Sequence, residues 1–206
     1  MSDISVIGLG PGHRDYILPV NLDEIKSCDV IVGARRNLDA LNDLKKKCVV
    51  IDGDLSGGMN YIQTHYIDEK IGVVVSGDTG FYSLLRYLKN NLEGINMTVF
   101  AGLSSMSLMF ARLGLLYDDA LMTSLHGKTC DVAKLVKQNS TVGFLTDDNS
   151  TPSEIAKALT KAGVKNKRFA VGERLSYDDE KVSIYKLKDA LKIKADKLCV
   201  VVVYDE

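Results

Sequence analysis

Three short glycine-bearing segments hold the residue types best suited to close ligand contact. Gly8-Leu9-Gly10-Pro11-Gly12 follows an apolar run at 4–7. Ser76-Gly77-Asp78-Thr79-Gly80-Phe81-Tyr82-Ser83 follows one at 73–75, and Ala101-Gly102-Leu103-Ser104-Ser105 follows one at 98–100. Glycine lets a backbone turn sharply and approach a ligand closely. Taken singly, each segment stays open between two readings. GLGPG is a tight strand-to-helix turn or a ligand loop, and Asp78 and Ser104 are helix caps or ligand contacts. A dinucleotide fingerprint fails, because GxGxxG needs glycine where His13 stands and Pro11 removes an N–H. That argues against a nicotinamide-dependent oxidoreductase. No GxxxxGK[ST] occurs, which excludes a P-loop. The conjunction says more than any part: three such turns after three strands should lie along one edge of a sheet, where open α/β sheets bind ligands.

The elements that must position these turns follow from periodicity. Strands are predicted at 4–7, 30–32, 49–51, 73–75 and 98–100, with helices near 19–26, 35–44, 57–67, 81–92 and 104–112. Alternating strands and helices imply βαβ units and a mostly parallel sheet. The VVV run at 73–75 lacks polar alternation, as expected of a strand covered on both faces. After 113–119 a new series begins, with strands predicted at 121–124, 141–146, 169–171, 182–187 and 198–204 and helices near 130–137 and 153–162. Thr151-Pro152-Ser153-Glu154 reads as a helix start, and Gly163 as its stop. The closely spaced last strands imply antiparallel pairs. The expected architecture is two α/β domains, residues 1–114 with a mostly parallel sheet and residues 115–206 with a mixed one.

Composition narrows the classes. In 206 residues, 26 Lys and Arg balance 27 Asp and Glu, so the basic excess of a dedicated nucleic-acid binder is missing. A hydrophobic share of 46% argues against a disordered chain. No apolar run reaches membrane-spanning length, and MSDISVIGLG has an early Asp and no basic n-region, so a signal peptide is not expected there. Cys28, Cys48, Cys130 and Cys199 form no CxxC pair and are expected as buried free thiols in a reducing compartment, hence a cytoplasmic protein. No His, Cys and Asp cluster has metal-ligand spacing, so no protein-bound metal is expected.

GLGPG, GDxxFY after a VVVS strand, and the GLSS turn together resemble the tetrapyrrole (corrin/porphyrin) methylase family of S-adenosylmethionine-dependent enzymes, over essentially the whole chain. The paired Arg35 and Arg36, SLHGK at 124–128, TDDNSTP at 146–152 and VGERLSY at 171–177 look like its precorrin/cobalt-precorrin-7 C(5)-methyltransferase branch in cobalamin biosynthesis. The same stretches argue against its diphthine synthase and ribosomal-RNA methylase branches. A non-catalytic module that binds the donor is the remaining alternative. Four positions depart from the family pattern: Ala101 and Thr79 replace prolines, Ser83 a glycine, and Lys128 a common arginine. Loss of two prolines should leave those loops less rigid.

The resemblance implies a tetrapyrrole-methylase fold with the ligand cleft between two domains. S-adenosyl-L-methionine is the implied donor and S-adenosyl-L-homocysteine the product. It places Pro11, Ser76, Gly77, Asp78, Phe81, Ser104 and Ser105 beside the donor, with Thr146 and Gly172 closing from the second domain. The implied acceptor is a carboxylate-fringed corrin-precursor macrocycle, met by Arg35, Arg36, Tyr82, His126 and Lys128. His126 and Glu173 are candidates to receive the proton released at the methylated carbon, and His13 borders the donor loop. A homodimer is expected, with C(15) methylation and decarboxylation left to a separate protein, and with neither nucleic acid nor membrane as partner.

Overall fold

The computed structural model describes residues 4–127, 130–195 and 199–206. The chain divides into two compact units, Met1–Ser104 and Ser105–Glu206.

In the first unit, strands β1 (Ile4–Gly8), β2 (Val30–Gly33), β3 (Lys47–Val50), β4 (Ile71–Val75) and β5 (Met97–Phe100) form a sheet ordered β3-β2-β4-β1-β5. Every pairing is parallel. Alternate residues face opposite sides. Ile7, Ile31 and Val74 join Ile17 and Ile25 in one apolar cluster, while Val6, Val32, Val73 and Val75 join Met59, Ile62 and Leu88 in another. Both faces are therefore covered by helices, among them α1 (Pro19–Ser27) and α3 (Leu55–His65), which explains the unbroken apolar strands.

Two predicted helices are shorter than their periodicity suggested. Helix α2 covers only Arg35–Asp39, followed by a 3-10 turn at Asn42–Leu44 that ends at Lys45 with φ 49°. Helix α4 (Leu85–Asn91) starts four residues after the predicted position, 81. Tyr82 has φ 51°, a left-handed conformation that no α-helix accommodates. Two 3-10 segments, Arg14–Tyr16 and Leu187–Lys192, had no sequence signal strong enough to read.

The second unit begins with α5 (Ser105–Leu113), and its sheet holds β6 (Leu121–Ser124), β7 (Thr141–Leu145), β8 (Lys167–Glu173), β9 (Lys181–Lys186) and β10 (Cys199–Asp205), ordered β6-β7-β10-β8-β9. Only β6 and β7 pair in parallel; β10 lies antiparallel to β7 and β8, and β8 to β9. This is the mixed sheet expected. Helix α6 (Val132–Gln138) and helix α7 (Pro152–Lys161) complete the unit, with the Thr151 side chain capping α7 at the Glu154 N–H and Gly163 at φ 70° beyond its end. The division at 104/105 precedes the expected boundary because α5 packs on the second sheet. A Cβ on Gly143 would meet Met106 Sδ at 2.4 Å, and one on Gly172 would meet Met109 Sδ at 2.5 Å.

The cysteines are not uniformly buried. Cys28 and Cys199 are, but Cys48 on β3 and Cys130 are exposed. Burial, reinforced by the Glu24 carboxylate, pushes the Cys28 thiol up to about 11. A maleimide should therefore modify two thiols in the native protein, and all four only after denaturation. Intact-mass analysis reads the adducts, and more than two native adducts would contradict the burial of Cys28 and Cys199.

Candidate functional site

The three turns do share one edge. They leave the C-terminal ends of β4, β1 and β5, which are neighbours in the sheet. Backbone joins the first two. Leu9 N–H donates to Val75 O at 2.9 Å, and Gly10 and Gly77 exchange N–H···O bonds of 3.2 and 2.8 Å. A Cβ on Gly8 or Gly102 would lie within 2.9 Å of the other glycine's backbone and of Gly77 O, so three main chains pack against one another without side chains between them.

Asp78 joins the second turn to the third. Its Oδ1 accepts the Gly80 N–H at 2.8 Å and its Oδ2 the Gly102 N–H at 3.0 Å. The carboxylate thus organises both its own loop and the turn after β5. Pro11 follows Gly10, which has φ 80° and presses against Tyr16 O, and the His13 ring nitrogen accepts the Asp15 N–H. Phe81 meets Tyr82 edge-on at 4.9 Å. Ser104 closes the first unit and Ser105 opens α5. Two departures from the family pattern touch each other: the Ser83 hydroxyl donates to Thr79 O and accepts the Leu85 N–H.

Sequence reasoning missed Asn21. It is fully buried in α1, and its amide nitrogen donates to Gly8 O and Ala101 O, both at 2.7 Å. The available signal was an asparagine four residues from both Ile17 and Ile25, on an otherwise apolar stripe.

The arginines separate. Arg36 donates to Ser76 Oγ at 2.9 Å, and that hydroxyl donates to Asn37 Oδ1 at 2.8 Å. Arg35 turns to Asp52, whose Oδ1 also accepts the Arg35 N–H at the start of α2. Beside the Arg36 network lies a cavity of about 240 Å³ at the ends of β2 and β4, lined by Ala34, Asn37, Ile51, Val74, Ser76 and Tyr82. Its lining is mostly aliphatic, with Asn37, Ser76 and Ser83 as polar members.

In the second unit the sheet ends bring another group together. Ser124 pairs with Leu145, and Cys199 with Glu173, so His126, Thr146, Gly172 and Glu173 all stand at one edge. The Thr146 hydroxyl donates to Cys199 O at 2.8 Å. Gly172 has a packing reason to lack a side chain, since Met109 and Leu175 crowd it. The Glu173 side chain is largely buried, 3.7 Å from Lys181 Nζ. His126 is exposed, and its turn is held by Asp147, which accepts N–H groups from Ser150, Asn149 and Gly127. The Ser150 N–H, with help from Gly127 and Asn149, keeps the Asp147 carboxyl below its ordinary range against the opposing effect of burial. Arg174 and Ser176 follow β8 at φ 47° and 77°. Glu180 holds that bend by accepting Ser176 N–H at 2.6 Å and Arg112 Nε at 2.5 Å. Lys128 lies outside the described residues.

Among the described residues no group of three or more His, Cys, Asp and Glu is placed to hold a metal ion, and no helix is long and apolar enough to cross a membrane.

Comparison with known proteins identifies the family. The chain is 28% identical over 193 residues to a probable cobalt-precorrin-7 C(5)-methyltransferase of Methanocaldococcus jannaschii, covering 90% of each protein. It is 26% identical over 179 residues to the cobalt-precorrin-7 C(5)-methyltransferase of Salmonella typhimurium, covering 87% of this chain and 88% of the relative. Its fold matches the crystal structure of uroporphyrin-III C-methyltransferase from Thermus thermophilus complexed with S-adenosylhomocysteine, with a TM-score of 0.77 at 17% identity, over 98% of this chain and 91% of the other. The model of the tetrapyrrole (corrin/porphyrin) methylases matches residues 3–191, and the chain belongs to that family.

Proposed function

We propose that this protein transfers a methyl group from S-adenosylmethionine to C(5) of cobalt-precorrin-7 or its cobalt-free counterpart. The observation that carries the reading is the sealed backbone seam of Gly8, Gly77 and Gly102 at the edge of the first sheet. The relatives named for this reaction support the choice of substrate.

The turns suit the donor. A Cβ on Gly77 would meet only Ser104 Cα, at 3.8 Å, so the outer side of that turn is open while its inner side is packed backbone on backbone. S-adenosylmethionine, when bound, supplies an electrophilic methyl on a sulfonium that becomes neutral on transfer. The protein therefore needs alignment more than a strong acid, and alignment alone can lower a barrier by several kcal/mol. Main-chain carbonyls of the glycine turns can give weak C–H···O contacts to the methyl. In this reading Pro11, Ser76, Gly77, Asp78, Phe81, Ser104 and Ser105 serve the donor, with Thr146 and Gly172 as the second unit's contribution.

The acceptor is assigned to the cavity beside Arg36. Its volume is too small for a whole macrocycle and suits one edge of it, with ring carbons against the aliphatic lining and a peripheral carboxylate toward Arg36. Tyr82 flanks that edge. His126 and Glu173 are assigned to proton acceptance. Cobalt, where present, belongs to the substrate. A homodimer, which rests on the resemblance, and a cytoplasmic location, which rests on the unpaired cysteine pattern, complete the proposal.

Calorimetric titration with S-adenosylhomocysteine, NAD and GTP tests the donor half. Micromolar binding of S-adenosylhomocysteine alone is expected. Binding of NAD or GTP in its place would overturn the reading.

A further inference from the structure

Asn21 stands apart from the rest of the first unit's core. It sits in the first turn of α1 with no exposed surface, between Ile17 and Ile25. An apolar side chain would continue the stripe but would supply no donors to the main chain. Instead a carboxamide directs both N–H protons onto main-chain carbonyls 13 and 80 residues away. Its own oxygen is buried without a hydrogen-bond partner among the described residues. Burying a polar atom unpaired is unfavourable, so the residue type is not explained by stability of the helix.

The two carbonyls explain it. Gly8 ends β1, where the first turn begins, and Ala101 begins the third. The first and second turns are joined by the Gly10–Gly77 pair, and the second and third by Asp78. Asn21 makes the remaining link, first turn to third, from beneath. With it the three turns form a closed circuit of hydrogen bonds, each fixed to both others.

We propose that Asn21 is a positioning residue for the methyl donor. It makes no contact with the donor and acts through Gly8 and Ala101, setting the separation of the first and third turns. The inference rests on the donor reading above.

The test compares S-adenosylhomocysteine affinity with thermal stability. Asn21→Leu fills the space without the donors, and Asn21→Ala leaves it partly empty. Ile62→Val, a fully buried position in the other apolar cluster, is the control for general loosening. Calorimetry well below the melting temperature should give a Kd raised about tenfold in both Asn21 variants, the scale of one or two lost hydrogen bonds. Ile62→Val should stay within twofold of the parent at a similar loss of Tm. Parent-like affinity in Asn21→Leu overturns the proposal. So does equal weakening in Ile62→Val, or failure of both Asn21 variants to fold, since the role is then structural. No binding by the parent protein would instead defeat the donor reading itself, and the positioning role with it.

Discussion

Asp78→Ala is expected to weaken S-adenosylhomocysteine binding by about 10- to 100-fold while moving the melting temperature by only a few degrees. One carboxylate accepts N–H groups from Gly80 and Gly102, on two different turns. Hydrogen bonds to a charged group are typically worth about 1.5–3 kcal/mol, and each 1.4 kcal/mol is tenfold in affinity. The turns lie at the sheet's edge, so the loss falls on their mutual placement more than on the core beneath. Asp78→Asn keeps one acceptor and should fall between parent and alanine. Calorimetry on the three proteins reads the order, and undiminished affinity in Asp78→Ala would show that its loop holds without it.

Gly102→Ala should be the most damaging single methyl in the first unit. Its Cβ would lie 2.2 Å from Gly77 O and 2.9 Å from Gly8, and neither neighbour is a side chain that can rotate away. Overpacking typically costs about 1–3 kcal/mol, and unyielding backbone puts this case at the upper end or beyond. For a chain of this size that is a fall of roughly 6–12 °C in Tm. Gly77→Ala supplies the contrast. Its Cβ has room, and only the φ of 70° opposes it, at about 1–2 kcal/mol. Thermal melts should rank Gly102→Ala well below Gly77→Ala, and a Gly102→Ala protein as stable as the parent would refute the packing described at the seam.

Much of this fold was legible because its signals are local. The apolar strands at 73–75 and 200–203 announce burial on both faces, and Thr151-Pro152 with Gly163 bracket α7 as read. The three turns could be assigned to one edge because parallel strands present their C-terminal ends together. What escaped depended on partners distant in sequence. The helical period through 81–84 is real, yet Tyr82 breaks it. The boundary slipped to 114 because the affinity of Met106 and Met109 for Gly143 and Gly172 has no local mark. Arg35 and Arg36 read as a pair, but Asp52 and Ser76 draw them apart. Asn21 showed only as a polar residue in an apolar stripe, and its targets lie in two other turns.

The position of β10 sets an order on synthesis. Residues 199–205 form the central strand of the second sheet, although they are its last in the chain. The first sheet needs nothing beyond residue 100, so a nascent chain can complete it early, domain by domain. The second sheet has no such freedom. Until β10 emerges, β7 and β8 have open edges facing one another across an empty lane, the kind of exposed strand edge that pairs with the wrong chain. A ribosome stalled late on this message would thus hold a finished first unit beside an unfinished, aggregation-prone second one.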